Sequence, residues 1–83
     1  LLAEDDASVR GFVTAALEKR GHKVTSCMDG SEALAALESG IKIDLLLTDI
    51  VMPGMDGLEL SARAGAISPT TKVMFITGFA AMA

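Results

Sequence analysis

Acidic residues follow two short apolar runs of the sequence. Asp49 closes a run that begins at residue 45, and the triplet 4–6 (Glu-Asp-Asp) follows the apolar residues 1–3. Carboxylates that crowd together repel one another and raise one another's pKa, and a hard divalent cation among them relieves this repulsion. Mg²⁺ suits such a set because it prefers oxygen ligands and retains bound water. A carboxylate beside the metal can then attack phosphorus and form an aspartyl-phosphate.

The residues around Asp49 predict where its carboxylate lies in the fold. Residues 45–47 are continuously apolar, as expected for a strand buried on both faces of a parallel sheet. The turn residues 52–57 (Met-Pro-Gly-Met-Asp-Gly) follow, so the chain leaves the sheet just after Asp49. Ligands bind at this carboxyl edge in open α/β sheets. The alternative is an aspartate that ends a strand in an ordinary turn, and for Asp49 taken alone this is the more common situation.

Strand-like and helix-like segments alternate along the whole chain. This alternation, with connections of helix length, predicts parallel strands joined by right-handed crossovers. The carboxyl ends of the first, third and fourth strands can then lie side by side, which brings the acidic triplet, Asp49 and the hydroxyl of Thr77 together. Such a hydroxyl can bind a phosphoryl oxygen. The predicted elements are strand 1–4, helix 8–20, strand 23–27, helix 29–39, strand 45–49, helix 58–66 and strand 72–77.

The first two predicted helices also have assigned faces and ends. Asp29 and Glu32 predict a capping pair at the start of the second helix. Arg10, near the acidic end of the first helix, is expected to pair with a carboxylate. Apolar residues at helical spacing predict the inward face of the first helix. That face consists of Val9, Phe12, Val13, Ala16 and Leu17.

The composition argues against several classes of function. The 83 residues allow one domain, and 51% hydrophobic residues predict a packed globular chain. The net charge of −4 and the lack of a basic stripe argue against nucleic acid as a partner. Without a signal peptide or an apolar run of membrane-spanning length, we expect a cytoplasmic protein with no membrane partner. Cys27 is the single cysteine and allows no internal disulfide, and no glycine-rich nucleotide-binding loop is present.

Three stretches of the sequence resemble the receiver domain of two-component response regulators. They are Glu-Asp-Asp at 4–6, Leu-Leu-Leu-Thr-Asp-Ile-Val-Met-Pro-Gly-Met-Asp-Gly at 45–57, and Phe-Ile-Thr at 75–77. The resemblance implies an α/β fold, a three-layer, doubly wound parallel sheet of the flavodoxin-like or CheY-like type with strand order 2-1-3-4. It covers residues 1–83 but only four of the family's five βα units and the start of a fourth helix. We therefore expect an incomplete receiver domain that lacks the fifth βα unit.

Matched position by position, the resemblance implies roles for individual residues. Asp49 is the phosphoacceptor, and the implied metal is Mg²⁺. The family's active-site Lys and switch aromatic belong to the fifth unit, and no lysine of this chain takes that place. Gly78 stands where the family usually has Ala. The implied metal ligands are Asp5 and Asp49 directly, Glu4 through water and Val51 through its main-chain carbonyl, and the phosphate-binding or switch residues are Thr77 and Gly78.

The resemblance implies a signalling phosphoacceptor rather than an enzyme. A histidine kinase or a histidine phosphotransferase would supply the phosphoryl group, and phosphorylation would switch a surface that binds an output protein. Residues 1–6 and 73–81 further resemble single-domain receivers whose phosphorylation governs substrate delivery to the ClpXP protease.

Two other functions stay open at this point. An aspartyl-phosphate phosphohydrolase would need a second Asp two residues after the nucleophile, where Val51 stands. A fragment without phosphoryl chemistry would act as a binding or dimerising module. Without a fifth strand, the apolar residues 73–76 would form a sheet edge, which predicts self-association through the fourth strand and residues 79–83.

Overall fold

Seven strands and helices alternate along residues 1–76, the part of the chain that the computed structural model describes. The predicted elements are present in the predicted order. Thr77, Gly78 and the expected start of a fourth helix lie outside the described residues. The bounds are β1 Leu2–Ala3, α1 Ala7–Lys19, β2 Ser26–Cys27, α2 Gly30–Glu38, β3 Leu45–Asp49, α3 Gly57–Ile67 and β4 Lys72–Ile76.

The strands form one parallel sheet with the order β2-β1-β3-β4, which confirms the predicted order. β3 lies between β1 and β4, with Ala3 aligned with Thr48 and Asp49 aligned with Ile76. Because the strands are parallel, β1 and β3 release the chain at the same edge of the sheet. This register determines which side chains can meet there.

β1 and β2 are shorter than predicted. Their backbones are joined by hydrogen bonds from Leu2 N to Thr25 O (2.9 Å) and from Glu4 N to Cys27 O (3.0 Å). Regular pairing is confined to this stretch, so each strand has two residues. The apolar pattern predicted the strands, but the length of a strand depends on how long its neighbour runs beside it.

The sheet is covered by α1 on one face and by α2 and α3 on the other, as right-handed crossovers in this order require. Alternate residues of β3 point to the two faces of the sheet and differ in burial. Leu46 and Thr48 are fully buried on one face, whereas Leu45 and Leu47 are half-buried on the other. The main core lies between the sheet, α2 and α3. Its buried members are Ala3, Cys27, Ala33, Leu37, Leu46, Met52, Leu60 and Ala64.

The predicted inward face of α1 is only partly confirmed, because Val13 and Leu17 are half-buried whereas the other predicted residues are exposed. No residue of α1 is buried, and Phe12 and Val9 are 76% and 37% exposed. Within residues 1–76, α1 packs mainly against β1, a strand of two residues, whereas α2 and α3 also pack against each other. Apolar spacing predicts that a helix forms, but it does not show how much surface the neighbouring elements offer to cover it.

The helices α1, α2 and α3 each begin after an aspartate N-cap. The Asp29 carboxylate accepts a hydrogen bond from Glu32 N (2.8 Å), and the Glu32 carboxylate accepts one from Met28 N (2.9 Å). These contacts confirm the predicted capping pair. The Asp56 carboxylate accepts a hydrogen bond from Glu59 N (2.8 Å) at the start of α3. None of the helices within residues 1–76 has the length and apolarity that crossing a membrane requires.

Candidate functional site

Three carboxylates meet at the carboxyl edge of the sheet. Glu4 and Asp5 directly follow β1, and Asp49 is the last residue of the neighbouring strand β3. One carboxylate oxygen from each residue lies within 4.8 Å of the others. The structure therefore brings together three of the four carboxylates singled out in the sequence. It does so because adjacent parallel strands end at the same edge.

Glu4 is the buried member of this group, with 2% of its surface exposed. Loss of water on burial raises the pKa of Glu4 from 4.5 to about 7, and hydrogen bonds with Asp5 and Asp49 and the charge of Asp49 add to the rise. The backbone N–H of Asp6 donates a hydrogen bond to Glu4 Oε2 over 3.2 Å, which stabilises the carboxylate and acts in the opposite direction. A full set of negative charges is therefore unfavourable at this edge without a cation.

The donor set fits Mg²⁺. This ion binds through one or two carboxylates and keeps several waters. The group offers one buried carboxylate, Glu4, and two that solvent reaches more easily, Asp5 and Asp49. A spread of up to 4.8 Å between the oxygens is compatible with a mixture of direct ligands and a ligand that acts through water. The raised pKa of Glu4 reflects the unfavourable free energy of its charged form at this edge, and a bound cation would offset that free energy.

Asp6 does not join the acidic group, contrary to the expectation that the whole triplet would. Its carboxylate accepts hydrogen bonds from Ser8 N (2.8 Å) and Val9 N (3.1 Å) and caps α1. The helix begins at Ala7, one residue earlier than predicted, so Asp6 takes the N-cap position. One residue of the triplet therefore has a structural role.

The expected pairing of Arg10 with a carboxylate is also wrong. Its guanidinium donates from Nη1 to the main-chain carbonyl of Glu4 over 2.9 Å. Arg10 lies on the first turns of α1, and the end of β1 is within its reach. The contact ties α1 to the backbone that carries Glu4 and leaves the Glu4 carboxylate without a cationic partner among the described residues.

The other predicted site residues are not placed by these contacts. Val51 lies in the loop two residues past Asp49 and is 79% exposed, and its carbonyl stays a predicted ligand. Thr77 and Gly78 lie outside the described residues. Lys72 begins β4 and is aligned with the first residue of β3. It therefore lies at the amino end of the strands, whereas Asp49 lies at their carboxyl end.

Two residues next to Asp49 were missed in the sequence. Thr48 is fully buried, and its hydroxyl donates a hydrogen bond to the main-chain carbonyl of Asp49 over 2.9 Å. The Cα of Gly57 lies close to the same carbonyl. A Cβ built on Gly57 would overlap the Asp49 oxygen and lie 2.9 Å from the Asp49 carbonyl carbon. In the sequence Gly57 appeared only as a turn residue. The sequence signal for a structural role of Gly57 was its position as the first helical residue after the N-cap Asp56.

Comparison with known proteins identifies the family. The response regulator receiver domain model matches residues 1–83. The chain is 55% identical over 83 residues to the response regulator receiver protein CpdR of Brucella abortus (strain 2308), covering all of this chain and 68% of that protein. It is 38% identical over 81 residues to the sensor kinase CckA of the same organism, covering 96% of this chain and 9% of the kinase.

Solved structures agree with the sequence comparison. The crystal structure of the receiver domain from the hybrid histidine kinase CckA has a TM-score of 0.87 and 40% identity, with 94% of this chain and 73% of that chain covered. The chemotaxis protein CheY4 of Vibrio cholerae has a TM-score of 0.79 and 29% identity, with 89% and 62% covered. The CheY-like fold and the predicted resemblance are thereby confirmed. The chain belongs to the response regulator receiver domain family.

Proposed function

We propose that this chain is the phosphoacceptor of a two-component phosphorelay, and that Asp49 takes a phosphoryl group from a histidine kinase or a histidine phosphotransferase. The observation that carries the proposal is the group of three carboxylates within 4.8 Å at the sheet edge. Membership of the receiver family supports it. The chain spans 68% of CpdR and 9% of CckA, so the partners and outputs of those whole proteins enter here as proposals.

Asp49 is the nucleophile in this proposal. It ends β3 and is only partly buried, so a phosphodonor can approach it from outside the sheet. A carboxylate oxygen attacks phosphorus, the P–N bond to the donor imidazole breaks, and the imidazole leaves with the electron pair of that bond. No general base is needed, because a carboxylate nucleophile carries no proton that must be removed.

The neighbouring residues hold the metal in this proposal. Asp5 and Asp49 bind Mg²⁺ directly, Glu4 binds through water, and Val51 contributes its main-chain carbonyl. When bound, Mg²⁺ neutralises the crowded carboxylates and the charge on the phosphoryl oxygens. Glu4 is held in place for this role from two sides, since Asp6 N donates to its carboxylate (3.2 Å) and Arg10 donates to its carbonyl (2.9 Å). Thr77 is proposed to bind a phosphoryl oxygen.

The output of phosphorylation is proposed to be a changed protein-binding surface rather than turnover of a second substrate. Residues 1–6 and 73–81 resemble single-domain receivers whose phosphorylation governs substrate delivery to the ClpXP protease, and this resemblance supports ClpXP as the output partner. A cytoplasmic location stays a prediction from the sequence.

Labelling with acetyl phosphate in Mg²⁺ tests the assignment of Asp49. Asp49→Asn should abolish the phosphate adduct seen by intact-mass spectrometry, because the amide cannot form the acyl phosphate. Asp56→Asn is the matched control, since Asn also caps helices well and Asp56, which accepts a hydrogen bond from Glu59 N, is not one of the three clustered carboxylates. Undiminished labelling of Asp49→Asn would assign the chemistry elsewhere. A wild-type chain that takes no label would favour the binding or dimerising module instead.

A further inference from the structure

We propose that Thr48 and Gly57 position Asp49 by holding its main-chain carbonyl from two sides. The inference rests on the proposed function, in which Asp49 is the phosphoacceptor and a Mg²⁺ ligand. On one side, the Thr48 hydroxyl donates to the Asp49 carbonyl over 2.9 Å. Thr48 is fully buried, so this hydroxyl is shielded from water that could replace the contact. The hydrogen bond therefore restrains the tilt of the peptide between Asp49 and Ile50.

Gly57 closes the other side of this peptide. A Cβ on Gly57 would overlap the Asp49 carbonyl oxygen and lie 2.9 Å from its carbon and 3.0 Å from Ile50 Cα. Gly57 N also donates to Ile50 O over 2.8 Å. All these neighbours are backbone atoms, so no side-chain rotation can make room for a methyl group. The first residue of α3 must have no side chain if the Asp49–Ile50 peptide is to keep its orientation.

The rest of the loop has little freedom to absorb a displacement. Met52 is buried in the core, and Asp56 caps α3 through Glu59 N. Gly30, the first residue of α2, packs against the backbone of Met55, because a Cβ there would lie 2.8 Å from the Met55 carbonyl oxygen. A methyl group at position 57 would therefore displace the Asp49–Ile50 peptide. Asp49 and Val51 flank Ile50, so both predicted metal ligands would move.

Three substitutions separate this role from a general effect on folding. Gly57→Ala pushes on the carbonyl, and Thr48→Val removes its hydrogen bond while keeping the size and the strand preference of the side chain. Gly65→Ala is the matched control, since Gly65 lies in the same helix and a Cβ there meets no heavy atom within 4 Å. Circular dichroism verifies that each variant is folded at the temperature of the measurements.

The experiment combines Mg²⁺ titration by calorimetry with amide NMR of ¹⁵N-labelled chain in EDTA. We expect Gly57→Ala to weaken Mg²⁺ binding about tenfold or more, as for changes that misplace metal ligands. Thr48→Val should weaken it about fivefold through the loss of one hydrogen bond. The amide resonances of Ile50 and Val51 should shift in both variants without metal. Gly65→Ala should change neither the affinity nor these resonances.

The outcomes distinguish the positioning role from the proposed function. Folded Gly57→Ala with wild-type Mg²⁺ affinity and unmoved Ile50 and Val51 resonances would overturn the positioning role. If Gly57→Ala does not fold, Thr48→Val decides by the same two measurements. A wild-type chain that binds no Mg²⁺ would refute the proposed function. In that case the Ile50 and Val51 amide resonances measured without metal would alone test whether Thr48 and Gly57 position Asp49.

Discussion

Glu4 makes the stability of the metal-free chain depend on pH. Its pKa is raised from 4.5 to about 7, chiefly because its carboxyl group loses water on burial. The folded chain therefore binds a proton that the unfolded chain releases between these two pH values. The protonated Glu4 side chain contributes favourably to the free energy of unfolding. This contribution is fully present below pH 4.5 and is lost as the pH rises through 7. Glu4→Gln removes the titration and resembles the protonated side chain in shape.

The size of the effect follows from the same pKa values. A rise from 4.5 to about 7 corresponds to at most ~3 kcal/mol of unfolding free energy. Solvent near the exposed Asp5 screens the charges at this edge, so we expect roughly 1–2 kcal/mol. The wild-type chain should lose this amount between about pH 5 and pH 7.5 relative to Glu4→Gln, because the other titrating groups are common to both proteins.

Urea unfolding followed by far-ultraviolet circular dichroism measures this difference. The chain has no Trp or Tyr, so fluorescence is a weak probe. EDTA keeps the samples free of metal, and measurements at two protein concentrations control for association. If the wild-type and Glu4→Gln unfolding free energies keep a constant difference from pH 5 to pH 7.5, Glu4 does not titrate in this range in the folded chain.

Three further predictions concern the acidic triplet and the edge strand β4. Asp5→Asn should raise the metal-free melting temperature because it removes one of the crowded charges, whereas Asp6→Ala should lower it by removing an N-cap worth about 1 kcal/mol. A lower melting temperature in Asp5→Asn would give Asp5 a structural role. The 83-residue chain should self-associate through β4, one of the two edge strands of the sheet within residues 1–76, where Met74 and Phe75 are 57% and 40% exposed. Sedimentation velocity at micromolar concentration tests this, and a stable monomer contradicts it.

The position of the carboxylates could be predicted because it depends on local sequence signals. The apolar run before Asp49 and the turn residues after it determine where β3 ends. Parallel topology then places the end of β1, with Glu4 and Asp5, beside it. Neither step requires knowledge of side-chain packing. The N-cap role of Asp6 was missed because helix starts are uncertain by a residue, and a shift of one residue changes which side chain reaches the free N–H groups.

The contacts behind Asp49 could not be predicted because they depend on the orientation of a buried side chain and on how closely α3 docks against the end of β3. Thr48 is an ordinary strand residue in the sequence, and its hydroxyl has a role only because burial directs it to the next carbonyl. Gly57 likewise matches a turn, and its close approach to Asp49 appears only once α3 is docked. The exposure of Phe12 has the same origin, because it depends on what covers α1.

The acidic edge links stability to metal binding. Burial of Glu4 beside two carboxylates is unfavourable in the metal-free chain, and a ligand that binds only the folded state offsets this cost by mass action. Glu4→Gln and Asp5→Asn should therefore stabilise the metal-free chain at neutral pH and weaken Mg²⁺ binding together. Gly65→Ala should stabilise α3 without weakening Mg²⁺ binding, because it acts through helix propensity far from any contact. If the carboxylates are kept close together for metal binding, the two acidic-site variants gain stability and lose Mg²⁺ affinity, whereas Gly65→Ala gains stability alone. If the acidic surface has no such role, all three variants gain stability without losing Mg²⁺ affinity.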